Sequence, residues 1–251
     1  MATHLFSVRR ALTGIVLSVA LNLASGCHKD ATLVTAVATP GTPHETLAKL
    51  GGDAQAGFVA LPLQSPFIAR VTLDDGTGVA GVAVTWTVAT GGGSLSTSTS
   101  TTDDQGYAEA LLTLGTVVGA NSVTATPPDG QSVSFSANGI PGSVAALVKL
   151  QGDQQVMADG SLSAPFVVKA VDLYGNPVAG VTVAWNADNG TPVAPTAVTD
   201  ANGLAQDVLQ AAATDATYDV TADVAGLAPV TFTATSVAST SGNVRLGARG
   251  D

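Results

Sequence analysis

The chain has 251 residues, of which only 11% are charged, and its formal net charge is -10 with a pI near 4.4. That acidity argues against a phosphate-binding surface, because nucleic-acid binding rests on Lys and Arg neutralising phosphates. Length allows roughly two domains, and the Gly, Ala, Val, Thr and Ser that dominate favour short β-branched strands between small-residue turns.

Taken in chain order, Arg9 and Arg10 precede an apolar stretch from Ala11 to Gly26, a positive n-region followed by an h-region of secretory length. Gly14 and Asn22 interrupt it, and it falls short of the roughly 20 apolar residues a membrane span needs. It closes on Leu23-Ala24-Ser25-Gly26-Cys27, which resembles the lipobox of bacterial lipoproteins, where small residues precede a cysteine that is lipidated and becomes the mature N-terminus. Ala24 departs from that pattern, where Leu is commoner. Cys27 is the single cysteine, so no internal disulfide is expected. His28 stands where the inner-membrane retention signal of lipoproteins has Asp, so the resemblance implies passage to the outer membrane. Cleavage before Cys27 would remove two arginines and no acid. Residues 28–45 carry no period of two or 3.6 and contain Pro40-Gly41-Thr42-Pro43. They read as a tether of at most ~60 Å.

Beyond the tether the chain repeats itself. Lys49-Leu50-Gly51-Gly52-Asp53 returns as Lys149-Leu150-Gln151-Gly152-Asp153, and Pro66-Phe67 as Pro165-Phe166. Val82-Ala83-Val84-Thr85-Trp86 returns as Val181-Thr182-Val183-Ala184-Trp185, and Thr102-Asp103-Asp104-Gln105-Gly106 as Thr199-Asp200-Ala201-Asn202-Gly203. Changes of offset fall in Gly-, Ser-, Thr- and Pro-rich spacers, where loops tolerate insertions. The domains are placed at 46–138 and 143–236, with a linker at 139–142 and a disordered tail at 237–251.

Within each copy the apolar period is two, which marks strands with one face inward. Val82, Val84 and Trp86 share a face, as do Val181, Val183 and Trp185; Phe135 and Phe232 alternate with Ser and Thr on the last strands. Trp86, Trp185, Phe135 and Phe232 are therefore expected as core anchors rather than a sugar-stacking platform. Gly91-Gly92-Gly93 leads into Ser/Thr-rich sequence with no helix behind it and reads as a flexible loop, not a phosphate cradle. In Asp172-Leu173-Tyr174-Gly175-Asn176-Pro177, Gly and Asn tolerate positive φ and Pro fixes its own, giving a tight connection.

The run from Val171 through Asp172-Leu173-Tyr174-Gly175-Asn176-Pro177-Val178-Ala179-Gly180-Val181 to Trp185, followed by Thr199-Asp200-Ala201-Asn202-Gly203-Leu204-Ala205, resembles the bacterial immunoglobulin-like domain of group 1, the repeat of intimins and invasins. The first copy matches less closely, with Leu73, Thr77 and Gly78 opposite Asp172, Asn176 and Pro177. The resemblance implies an all-β fold of two tandem immunoglobulin-like β-sandwich domains in a stalk or spacer role. It brings no receptor with it, since the membrane barrel and lectin-like domain of those proteins find no counterpart here.

Chemistry is sparsely provided for. The histidines, His4, His28 and His44, all precede the repeats, which excludes His-based triads and zinc sites within them. Paired acids such as Asp74-Asp75 and Asp103-Asp104 are expected on solvated turns, with Asp172 and Asp200 the nearest to a calcium candidate. The final Arg249-Gly250-Asp251 is the tripeptide integrins recognise in animal matrix proteins, but it sits on a polar tail without a constraining loop. No cofactor and no nucleic-acid partner are expected. The chain reads as a non-enzymatic outer-membrane lipoprotein, displayed at the cell surface as a spacer or adhesion module for a protein or glycan ligand. A periplasm-facing scaffold is the alternative, and a carboxylate-dependent enzyme comes third.

Overall fold

The computed structural model describes residues 45–238; the signal-like segment, Cys27, the tether and the Arg249-Gly250-Asp251 tail lie outside them. The described residues form twenty strands and no helix. The first ten are β1 Thr46–Gly51, β2 Gln55–Phe58, β3 Phe67–Thr72, β4 Ala83–Thr90, β5 Ser94–Leu95, β6 Thr99–Thr101, β7 Tyr107–Ala110, β8 Leu112–Thr113, β9 Gly119–Thr126 and β10 Val133–Ile140. The second ten are β11 Ala146–Gln151, β12 Gln155–Ala158, β13 Phe166–Val171, β14 Thr182–Ala187, β15 Thr191–Pro192, β16 Thr196–Val198, β17 Leu204–Asp207, β18 Leu209–Gln210, β19 Ala216–Asp223 and β20 Val230–Val237.

The sheet orders of the two sets coincide strand for strand. β1-β3-β7 faces β2-β10-β9-β4-β6 with β5-β8 as a side ribbon, and β11-β13-β17, β12-β20-β19-β14-β16 and β15-β18 repeat it. Each set is a sandwich of two sheets, the architecture of immunoglobulin-like domains.

Alternation dictates which residues fill each interior. On β10, Phe135 and Ala137 are buried while Ser134 and Ser136 face solvent; on β20, Phe232 and Ala234 are buried while Thr231 and Thr233 are exposed. Trp86 and Trp185 lie inside. In the first core Phe135 packs between Phe67 and Trp86 at centroid distances of 5.0 and 5.7 Å; in the second Phe232 packs between Phe166 and Trp185 at 5.3 and 6.1 Å. Burying each such ring contributes about 1.5–3 kcal/mol by transfer alone.

The first strand of each sandwich is split so that it can serve both sheets. β1 pairs antiparallel with β3, the register shifts between Lys49 and Gly51, and the chain then crosses over for β2 to pair parallel with β10. Gly52 (φ 77°) and Ala54 (φ 56°) make the crossing, and Gly152 (φ 97°) and Gln154 (φ 57°) repeat it. Gly is required at the first position, because a Cβ on Gly52 would lie 2.0 Å from the Pro66 carbonyl oxygen.

Three expectations need correction. β10 continues through Gly139 and Ile140, which pair with Gly57 and Phe58 of β2, so the linker gives up its first two residues and begins at Pro141. β20 likewise runs one residue past 236. The outer two residues of the triple glycine are closely packed rather than loose: a Cβ on Gly91 would meet Asn121 Oδ1 at 1.9 Å, and one on Gly93 the Thr113 carbonyl oxygen at 2.3 Å, while Gly92 has open space around it.

Candidate functional site

Both sandwiches hold their strand crossing with the same ion pair. Lys49 donates to Asp53 Oδ2, and the other carboxylate oxygen, Oδ1, accepts the backbone N–H of Ser136 (2.8 Å) and of Ala54 (3.0 Å). Lys149 donates to Asp153 Oδ2 at 2.7 Å, and Oδ1 accepts from Thr233 N (2.9 Å) and Gln154 N (3.1 Å). The lysine beside each carboxyl, helped by these backbone donors, holds the pKa of both aspartates at about 2. Each ammonium also lies over the core phenylalanine of the last strand, Phe135 or Phe232. These lysines serve the fold.

The paired acids behave as turn residues. Asp103 Oδ1 accepts from Gln105 N and Tyr107 N, both at 2.9 Å; Asp200 Oδ1 accepts from Asn202 N at 2.8 Å and Leu204 N at 2.9 Å. Asp200, one of the two calcium candidates, thus caps its own loop. Among the described residues no group of three or more His, Cys, Asp or Glu is placed to hold a metal ion.

Asp172, the other candidate, lies elsewhere in character. Its side chain is 3% exposed. Oδ1 accepts from Tyr174 N (2.9 Å), Asn176 N (2.9 Å) and Asn176 Nδ2 (3.1 Å), while Oδ2 accepts from Asn176 Nδ2 (2.9 Å) and from Gly142 N in the linker (3.1 Å). Burial pushes this carboxyl up, but the hydrogen bonds from Asn176, Gly142 and Tyr174 outweigh it and leave the group below the usual carboxylate range. A carboxylate offers about four lone-pair sites. These are filled by N–H donors, so Asp172 has nothing left for calcium and is corrected to a structural anion.

Asn176, which the sequence pattern presents only as a turn residue, carries the bonds from this loop to the first sandwich. Its Nδ2 donates to the Thr116 carbonyl oxygen at 2.8 Å, and its Oδ1 accepts from Val118 N at 3.1 Å. The signal that could have found it is the difference between copies: Asn176 and Asp172 stand where the first copy has Thr77 and Leu73.

The outer surfaces are acidic and rich in hydroxyls. The cations among the described residues are Lys49, Arg70, Lys149 and Lys169, and the first three already face aromatic rings. The apolar side chains left exposed include Leu50 and Phe58 on β1 and β2, Leu150 and Val156 (71% exposed) on β11 and β12, Val198 on β16, and Leu173 and Tyr174 in the Asp172 turn. Among the described residues there is neither His nor Cys.

The bacterial Ig-like domain (group 1) profile matches residues 148–248. Among solved structures, the D0-D1 domain of intimin is 20% identical over 76% of this chain and 96% of its own, with a TM-score of 0.30. Invasin, described as a bacterial integrin-binding protein, is 27% identical over 77% of this chain and 40% of its own, at 0.37. The Escherichia coli adhesin FdeC is 17% identical over 76% and 63%, at 0.46. The chain thus spans less than two thirds of the invasin and FdeC chains. The profile match falls on the second sandwich, which is thus similar to the bacterial Ig-like domain (group 1), and the first sandwich repeats the second in strand order and in its Lys–Asp ion pair.

Proposed function

We propose that this chain is a lipid-anchored protein of the bacterial envelope, held by Cys27 in the outer membrane and displaying its two sandwiches at the cell surface as a spacer and adhesion module. Its partner is a protein or glycan met by loops or free strand edges, and it catalyses no reaction. The observation that carries the reading is where the apolar side chains lie. Both interiors are filled by their own Phe and Trp anchors, whereas the apolar side chains left exposed include Phe58, Val156 and Val198 on the open edges β2, β12 and β16, and Leu173 and Tyr174 on the Asp172 loop. An edge strand offers unpaired backbone groups together with alternate side chains, which suits strand addition by a partner. The match of the second sandwich to the bacterial Ig-like (group 1) profile supports a binding role over a catalytic one.

Protease shaving of intact cells, with immunodetection of this protein and of a periplasmic control, tests the display. The expected result is loss of the protein while the control survives, and transfer of Cys27→Ser from the membrane to the soluble fraction. Survival of both proteins on intact cells, with digestion after lysis, would overturn surface display and turn the same module inward, toward a periplasmic scaffold.

A further inference from the structure

We propose that Asp172 and Asn176 form an interdomain latch that fixes the second sandwich on the first in one orientation. The Asn176 amide faces the loop at 116–118 with a donor and an acceptor, meeting the Thr116 carbonyl oxygen and the Val118 N–H as a backbone bridge would. Asp172 decides which way that amide points. Its carboxylate oxygens lie 2.9 and 3.1 Å from Nδ2, so a flipped amide would set its own oxygen against a buried anion, and only one orientation satisfies both sandwiches. The same carboxylate holds the linker through Gly142 N. Three segments therefore converge on one charge: the linker, the turn of the second sandwich and, through Asn176, the loop of the first.

Asn176 is 7% exposed, so breaking its bonds leaves polar groups short of partners rather than exchanging one hydrogen bond for another with water. The first sandwich lacks the device. Leu73 and Thr77 take the two positions, and the turn there is closed by Leu73 N donating to the Thr77 carbonyl oxygen and by Asp75 Oδ1 accepting from Thr77 N. The first copy thus closes the equivalent turn without Asp or Asn at these positions, and in the second copy the pair closes its own turn and also reaches the linker and the first sandwich. This inference is independent of which way the module faces.

Spin labels on the full chain read the joint directly. With Cys27→Ser to remove the native thiol, Thr87→Cys and Thr231→Cys place one label on the exposed face of each sandwich. Double electron–electron resonance on this parent is expected to give one narrow distance distribution, and adding Asn176→Ala to broaden it and lose the single peak, with both tryptophan emission spectra native. The same narrow peak in the alanine variant, with both sandwiches folded, would overturn the latch. Should Asn176→Ala unfold the second sandwich, Val118→Pro removes the N–H that Oδ1 accepts from the first-sandwich side, leaving the Asp172 turn untouched. Broadening there supports the latch and an unchanged peak refutes it.

Discussion

The two tryptophans differ in one hydrogen bond, and that difference predicts a stabilising substitution. Trp86 Nε1 donates to Ser100 Oγ at 2.8 Å, whereas Trp185 Nε1 is buried with no partner among the described residues. Register explains it: Val84 pairs with Ser100 between β4 and β6, and Val183 pairs with Ala197 between β14 and β16, so a methyl group stands where the acceptor should be. Ala197→Ser restores the acceptor at a half-buried position. A typical net gain is about 1 kcal/mol, which for a sandwich of this size raises Tm by about 4–8 °C. Ser100→Ala, which orphans a buried indole N–H, should cost about 1–3 kcal/mol. Each sandwich has a single tryptophan, so emission followed through thermal and urea melts reports them separately: Ala197→Ser in a Trp86→Phe background, Ser100→Ala in a Trp185→Phe background. A midpoint that stays put or falls for Ala197→Ser would refute the reasoning, as would Ser100→Ala without loss.

Acid should loosen both sandwiches through Asp53 and Asp153. Their folded pKa of about 2 lies below the ordinary 3.8, so the stability they contribute is complete above the ordinary value and is lost as pH falls through about 2; Lys49→Met with Lys149→Met should flatten that acid limb in melts recorded between those values. Gly52→Ala, with a positive φ and the Pro66 carbonyl in its path, should lower the Trp86-reported stability by well over about 1 kcal/mol. Gly76→Ala, at φ 82° but with open space around it, should lose only the backbone strain of about 1–2 kcal/mol.

Much of the sandwich was legible because period-two alternation is a local property. Val84, Trp86, Phe135 and Phe232 announce their faces from their neighbours alone, and the blocks repeated with Lys49 and Asp103 mark the copies. The end of β10 was not legible because Gly139 and Ile140 belong to the strand through backbone pairing with Gly57 and Phe58, and a glycine contributes no side chain to the alternation. Nor does Gln55–Phe58 show that it pairs parallel with the last strand, since that depends on where the chain crosses at Gly52 and Asp53. Asn176 was hidden for a related reason: its turn chemistry accounts for it completely until the loop at 116–118 is brought alongside.

The two copies also separate what a sandwich needs from what this chain does with it. Where both keep a residue, it serves the domain: each lysine neutralises the aspartate that ties the split first strand to the last, and Asp103 and Asp200 close the same turn with the same pair of backbone donors. Where they differ, the fold has tolerated the change. Ala197 leaves an indole unpaired without altering the sheet order, a local loss of stability. Asp172 buries a charge, which hydrophobic packing alone would never favour, and the first copy closes the equivalent turn with Leu73. A buried anion whose partners include the linker, and an asparagine that bonds the neighbouring sandwich, follow from a requirement on orientation, which is what a module needs if its free edges are to meet a partner at a set distance and angle.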